Sequence, residues 1–197
     1  MRLSTRDRVR VQAALEAAQA RTHARFALMI VPVSDRYAMY PLAWAGMFAI
    51  ALGAIVALFW QTLGLRLGFL IEAAAFGTFA QFFDSRPLRL LLVPKRLQQA
   101  RARNMAHREF GAGILAARDK QCGMLFFASL AERYVEIIAD HTVHERVGDA
   151  AWSQIVTEFS QDARTGSLAD AFVSAIQTCA YHLETHFPKR APSEAHA

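Results

Sequence analysis

The sequence predicts an α/β fold, a small mixed sheet with helices on both faces, interrupted by a two-helix transmembrane hairpin. Three observations predict this class. The uncharged stretch Leu42–Trp60 is long enough, as a helix, to cross the roughly 30 Å hydrocarbon core of a bilayer. The short apolar run Arg25–Val33 precedes it and has the character of a buried strand. Two further strand-like runs, Gly123–Leu130 and Tyr134–Ala139, follow it and need a third strand or a helix to be stable.

A second candidate span, Leu67–Phe83, follows the first after a short link and contains Glu72 and Gln81. Because the link is too short to form a domain, the chain is predicted to return through the membrane as a helical hairpin. The two spans are placed at about residues 42–60 and 67–83. The alternative is a single span followed by a buried helix of a soluble domain.

The net charge of +5 is distributed in a way that predicts topology. Basic residues are frequent before the first span and after the second, whereas the turn between them carries only Arg66. Since Lys and Arg near span ends stay in the cytoplasm, the N- and C-termini are both expected to be cytoplasmic. The basic flanks favour anionic lipid as a partner. Nucleic acid is not expected, because the basic cluster adjoins the membrane and does not alternate with stacking aromatic residues.

Helical spacing of apolar residues predicts further helices over Thr5–Thr22 and after Asp149 and Ser167. A basic helix with little apolar content is expected over roughly Lys95–Ala117. The unalternating apolar pattern of Arg25–Val33 predicts a strand inside the sheet, protected on both faces. The predicted domain organisation has four parts, of which the first and third form one discontinuous domain. They are residues 3–36 with the first helix and strand, residues 37–93 with the membrane hairpin, residues 95–187 with the remainder of the domain, and residues 188–197 as a disordered tail.

Two stretches carry a resemblance to a known family. They are the strand pair GMLFFASLAERYVEIIAD, Gly123–Asp140, and the turn and last helix ARTGSLADAFVSAIQ, Ala163–Gln177. In this order of elements the chain resembles the TPM-domain family, over roughly residues 3–34 and 95–187. It looks most like bacterial membrane-anchored members in which a hairpin follows the first strand. The resemblance implies a TPM-like sandwich attached to the bacterial inner membrane as a multi-pass protein.

Two functions follow from this resemblance, because some family members are acid phosphatases or bind divalent metal and others are interaction modules. We favour a binding or interaction module at the cytoplasmic face of the inner membrane, with the lipid bilayer and a protein as partners. The alternative is a divalent-metal-dependent acid phosphatase-like hydrolase. Such an enzyme needs a nucleophile or a metal-activated water, and no motif marks either. No catalytic residue is therefore assigned, an enzyme is not favoured, and an oligomer is left open.

Three aspartates, Asp35, Asp119 and Asp140, are candidate ligands for Ca²⁺ or Mg²⁺, which prefer carboxylate oxygens. Asp35 fits the family position after the first strand. At the second family position this chain has Gln121, and Asp119 lies two residues before it. In the alternative, which we favour, Asp35 stops a strand, Asp119 caps a turn and Asp140 ends the strand pair.

Small residues recur every four positions in the first span, and two more lie in the second. Such residues let helices approach closely in lipid. The predicted packing residues are Ala45, Ala49, Gly53, Ala57, Ala73 and Gly77. The alternative is that an alanine-rich composition produces the stripe by chance. Glu72 is the ionisable residue of the second span. A structural role is preferred for it, because no second group that would complete a proton relay is present.

Overall fold

A computed structural model describes residues 3–35, 37–59, 64–115 and 122–189. The chain divides into two compact units. The first, here called the sheet unit, comprises Met1–Ser34 and Ala100–Ala197, and the second, the helical unit, comprises Asp35–Gln99. The elements along the described residues are α1 (Thr5–Arg21), β1 (Arg25–Val31), α2 (Met39–Phe59), α3 (Leu65–Phe83), α4 (Arg86–Leu91), α5 (Lys95–Phe110), β2 (Gly123–Ser129), β3 (Tyr134–Ala139), α6 (His141–Val147), α7 (Asp149–Thr165) and α8 (Leu168–His186).

The sheet has three strands in the order β1-β2-β3, so the predicted small mixed sheet is confirmed. β1 pairs with β2 in parallel, from Arg25 opposite Gly123 to Val31 opposite Ser129. β2 pairs with β3 in antiparallel fashion. A parallel pair needs a crossover connection, and here that connection contains the entire helical unit. The sheet is therefore completed by two strands that are far apart along the chain.

β1 lies at the edge of the sheet, which corrects the expectation that it lies inside. Its apolar side chains pack alternately on the two faces, so the absence of polar alternation reflects helices on both sides rather than a central position. The central strand is β2, which is buried along its whole length. β1 also ends at Val31, before the predicted Val33, because Pro32 has no N–H group to donate to a ladder.

Two hydrophobic clusters cover the two faces of β2. Met124 and Phe126 belong to the first cluster, where they meet apolar residues of α1, α6, α7 and α8. Leu125 and Phe127 belong to the second, where they meet α5 and the wide π-helical turn that follows it at Gly111–Leu115. This alternation is the period of two expected for a strand with both faces covered.

A polar contact ties α5 to β3 at the border of the second cluster. The Tyr134 hydroxyl donates to Glu136 Oε2 at 2.9 Å. Glu136 Oε1 lies 3.8 Å from Arg103 Nε and 3.4 Å from His107 Nε2. Burial, together with the hydrogen bond to this carboxylate, raises the pKa of Tyr134 far above its usual range, so the phenol stays neutral and remains a donor.

In the helical unit, α2 and α3 pack against each other. The ring of Phe48 on α2 lies 5.8 Å from that of Phe79 and 5.4 Å from that of Phe83, centroid to centroid. Within the described residues, α2 is the one helix that is long and apolar enough to cross a membrane, with a mean hydropathy of 2.3. The second predicted span forms α3, which carries Arg66 and Glu72 and does not reach that apolarity. Trp60, at the predicted end of the first span, lies outside the described residues.

The substitution Phe26→Ala tests whether β1 belongs to the same cooperative sheet as β2. Phe26 is 4% exposed and belongs to the first cluster, so its truncation is expected to destabilise the sheet unit by about 3–5 kcal/mol. Hydrogen exchange of the β2 amides should then lose a corresponding part of its protection. Val9→Ala is the control, because Val9 is 64% exposed and its loss should change stability by no more than about 0.5 kcal/mol. Unchanged β2 protection in Phe26→Ala would contradict the pairing.

Candidate functional site

A hydrogen-bonded clasp joins the ends of β1 and β2. The carboxylate of Glu132 is buried, and its Oε1 accepts from the backbone N–H of Ser34 at 2.9 Å. The Ser129 hydroxyl donates to Glu132 Oε2, and the Ser34 hydroxyl donates to Ser129 Oγ at 2.9 Å. Hydrogen bonds to an ionised acceptor are stronger than neutral ones. The clasp therefore fixes the segment that leaves β1 against the turn that leaves β2.

The turn between β2 and β3 is also held by backbone hydrogen bonds to the end of β1. The N–H groups of Leu130 and Ala131 donate to the carbonyl oxygens of Val31 and Pro32, at 3.0 and 3.1 Å. Arg133, the last residue of this turn, has a φ of 51°. This left-handed conformation is uncommon for a residue with a Cβ and is adopted most easily by glycine or asparagine. The turn thus places an arginine where the backbone favours another residue type.

A pocket of about 230 Å³ opens beside this turn. It lies between the end of β2, the start of β3, the C-terminal half of α7 and the first residue of α8. Its apolar wall consists of Ala128, Leu130, Val135, Phe159, Ala163 and Leu168, and its polar residues are Ser129, Arg133, Ser160 and Arg164. Ligand sites of α/β folds collect at the carboxyl ends of parallel strands. The end of β2, the strand that pairs in parallel with β1, forms part of this pocket.

Among the described residues, the pocket carries positive charge without a compensating carboxylate. None of the described residues that line it is acidic. Both Arg133 and Arg164 are exposed, and in the described part of the chain neither has a carboxylate within 4.0 Å of its guanidinium. By contrast, Arg10 and Arg21 on α1 are paired with Asp170 and Glu184. The geometry supplies two cationic donors beside an apolar wall, which is an arrangement suited to an anion.

Two of the three predicted metal ligands, Asp35 and Asp140, do not line this pocket. Asp140 caps α6: its Oδ1 accepts from the N–H of Val143 at 2.8 Å and its Oδ2 accepts from the N–H of Gly123 at 2.6 Å. Asp140 therefore lies beside the start of β2. Asp35 follows Ser34, which lies in the segment that leaves the end of β1. Asp119 lies outside the described residues, within which no group of three or more His, Cys, Asp or Glu is placed to hold a metal ion. The Ca²⁺ or Mg²⁺ site stays a prediction.

The predicted packing residues are placed unequally in the helical unit. Ala45 and Ala49 are buried, and a Cβ added to Gly53 would lie 3.3 Å from Cδ of Glu72, so Gly53 provides room for this carboxylate. Three of the predicted residues are exposed instead: Ala57, Ala73 and Gly77. The aromatic contact between the two helices is made by Phe48 of α2 with Phe79 and Phe83 of α3.

Comparison with known proteins supports the same fold. Residues 84–181 match the family model of the TPM domain. The chain carries a TPM domain. The match begins beyond β1, so the resemblance that the sequence suggested over residues 3–34 is not part of the matched range. In the structure, β1 nevertheless completes the sheet of the TPM domain from outside that range.

Among solved structures, the NMR structure of BA42 protein from the psychrophilic bacterium Bizionia argentinensis is similar, with a TM-score of 0.57 and 11% sequence identity. The alignment covers 100% of this chain and 92% of that chain. At this identity the likeness shows the fold alone. No protein of curated function matches the chain.

Sequence reasoning missed the residues of the clasp and the pocket. Glu132 and Arg133 lie between the two predicted strand-like runs and Arg164 lies in the stretch Ala163–Gln177, and none of the three is among the candidate site residues of the sequence analysis. The signal that was present is the rule that sites form at the carboxyl ends of parallel strands. It could be applied only once the parallel pairing of β1 with β2 was known.

The substitution Glu132→Ala tests the clasp. It removes the shared acceptor of the part-buried Ser34 N–H and the buried Ser129 hydroxyl. We expect a loss of about 2–4 kcal/mol in the free energy of unfolding of the sheet unit, measured by denaturant titration. Glu184→Ala is the control, because it removes an exposed ion pair with Arg21 that contributes at most about 1 kcal/mol. Equal effects of the two substitutions would show that the clasp does not stabilise the fold.

Proposed function

We propose that the protein is a membrane-anchored binding module. In this proposal its TPM domain lies at the cytoplasmic face of the bacterial inner membrane and is held there by its own two-helix hairpin. The single observation that supports it best is the parallel pairing of β1, which precedes α2, with β2, which follows α3. Two paired strands must lie on the same side of a bilayer. The chain between them therefore crosses the membrane an even number of times.

This constraint favours two crossings. α2 has the length and apolarity of a span, and a single crossing at α2 would separate β1 from β2. α3 packs along α2 and carries many exposed apolar side chains, among them Phe69 and Leu70, which are suited to contact with lipid. Its charged residues, Arg66 and Glu72, lie in the first half of the helix. In a second span they would lie toward the far interface, where charged side chains reach water most easily.

Binding is favoured over hydrolysis because of the chemistry of the pocket. Its polar residues are two arginines and two serines, and both serine hydroxyl protons are used within the protein. Ser129 donates to Glu132, and Ser160 donates to the carbonyl oxygen of Val156 at 2.7 Å. The pocket therefore offers cationic donors for holding a ligand. Hydrolysis of a phosphomonoester would in addition need an activated nucleophile or a metal-activated water, and Ser129, whose hydroxyl donates to Glu132, is only 2% exposed.

Membrane attachment is tested with Ile50→Arg. Ile50 lies near the middle of α2 and is 66% exposed, so in the bilayer its side chain would face lipid. An arginine at the centre of a span costs about 2.5–3.5 kcal/mol on insertion scales. We expect the native protein to stay in the membrane pellet after an alkaline carbonate wash, and the pellet fraction of Ile50→Arg to fall. Val9→Arg is the matched control, because Val9 is equally exposed but lies on α1, and its pellet fraction should not change.

Three results would contradict the proposal. Recovery of the native protein in the soluble fraction would exclude the anchor. A C-terminal reporter found outside the cytoplasm would contradict the cytoplasmic placement. Hydrolysis of a phosphomonoester that is abolished by a chelator of Ca²⁺ and Mg²⁺ would favour the hydrolase over the binding module.

A further inference from the structure

We propose that the pocket beside the β2–β3 turn binds an anionic ligand in which a carboxylate or phosphate group is attached to a compact apolar group. The inference rests on the proposed binding function and names the class of ligand. The anionic group would lie between the guanidinium groups of Arg133 and Arg164, and the apolar group would lie against Phe159, Val135 and Leu168.

The charge of the ligand follows from the two arginines. They come from different elements, the β2–β3 turn and α7, yet they line one pocket. Among the described residues, no acidic side chain lines the pocket or lies within 4.0 Å of either guanidinium. Because both guanidinium groups line the same pocket, a single anionic group there can contact either or both of them. The planar fork of a guanidinium matches the oxygens of a carboxylate or a phosphate.

The size of the ligand follows from the volume of the pocket. In another protein, an engineered apolar cavity of about 150 Å³ is large enough to hold benzene. The present pocket, at about 230 Å³, therefore has room for one ring or a short branched chain together with its anionic group. A long acyl chain would extend beyond this volume. The ring of Phe159 can pack against a ring in the ligand. Such an aromatic contact adds to the free energy that comes from burying apolar area.

The backbone at Arg133 gives independent support. Its φ of 51° is a conformation that glycine or asparagine adopts more easily. Residues held in such sparsely populated conformations cluster at functional sites. The backbone alone therefore does not explain an arginine at this position, whereas contact between its guanidinium and an anion does. The same geometry makes Arg133→Gly a variant that removes the charge without straining the turn.

The test uses the full chain in an uncharged detergent and four probes that share one ring. Benzoate and phenyl phosphate are the anions, benzyl alcohol is the neutral match and benzylamine is the cation. Binding is measured by titration calorimetry, with chemical shifts of the residues around the pocket as a second readout. We expect at least one of the two anions to bind, and to bind at least tenfold more tightly than benzyl alcohol. Benzylamine should not bind. The anion that binds more tightly identifies the carboxylate or the phosphate as the preferred group.

Arg133→Gly and Arg164→Gln should each weaken binding of the preferred anion at least tenfold. Arg10→Gln, which removes the same charge from α1, should leave the affinity within twofold. The melting temperature of Arg133→Gly should not fall, which separates a loss of binding from a loss of fold. Equal binding of benzyl alcohol and the anions, or unchanged affinity in both pocket variants, would overturn the proposal.

Release of phosphate from phenyl phosphate is recorded in the same samples. This measurement distinguishes a failure of the ligand assignment from a failure of the proposed function. Turnover that is lost in the pocket variants would support the pocket as an anion site and overturn the proposed function as a binding module. An absence of both binding and turnover would overturn the ligand assignment and leave the membrane-anchored module in place.

Discussion

β1 and β2 form seven consecutive parallel pairs, from Arg25 opposite Gly123 to Val31 opposite Ser129, with the helical unit inserted between them in the sequence. The entropy of closing a connection rises only slowly with its length, so an insertion of this size is compatible with a stable sheet. Further features of the fold follow from this pairing. It gives the central strand β2 its second neighbour, and it brings Ser34 to Ser129 and Glu132. It also supports an even number of membrane crossings in the proposed anchor.

In the sheet unit, the pairing of β1 with β2 and the burial of β2 by the helices support each other. β2 is buried at every position because helices cover both of its faces, and β1 protects one of its edges. Gly123, at the start of β2, shows how close this packing is: an added Cβ would lie 2.4 Å from Cγ2 of Ile114 in the turn after α5. The clasp and the pocket lie at the other end of the same strand. Their geometry therefore depends on a core to which both parts of the discontinuous domain contribute.

The elements with strong local signals could be predicted from the sequence. α7 and α8 follow from apolar residues at helical spacing, and the β2–β3 pair follows from two β-rich runs around a polar turn. The position of β1 at an edge could not be predicted, because an apolar run without alternation fits an edge strand covered on both faces as well as a central strand. The short helix α6 was missed, because seven residues are too few for a periodic pattern and the cap by Asp140 resembles the end of a strand.

The site was less predictable than the fold. Ser34, Ser129 and Glu132 meet only through the parallel pairing, and the two pocket arginines come from different elements. The metal site proposed at Asp35, Asp119 and Asp140 stays a prediction, because Asp119 lies outside the described residues.

Completion of the TPM domain by β1 across the inserted helices can be measured in a protein whose residues 37–93 are replaced by a flexible Gly/Ser linker. NMR contacts between backbone protons of the two strands are then recorded. Because a long loop closes at little extra cost, we expect a folded soluble domain with contacts in the parallel register, Phe26 to Met124 and Leu28 to Phe126. A domain that folds without these contacts, or that is equally stable when residues 25–31 are deleted, would show that β1 is not part of the sheet.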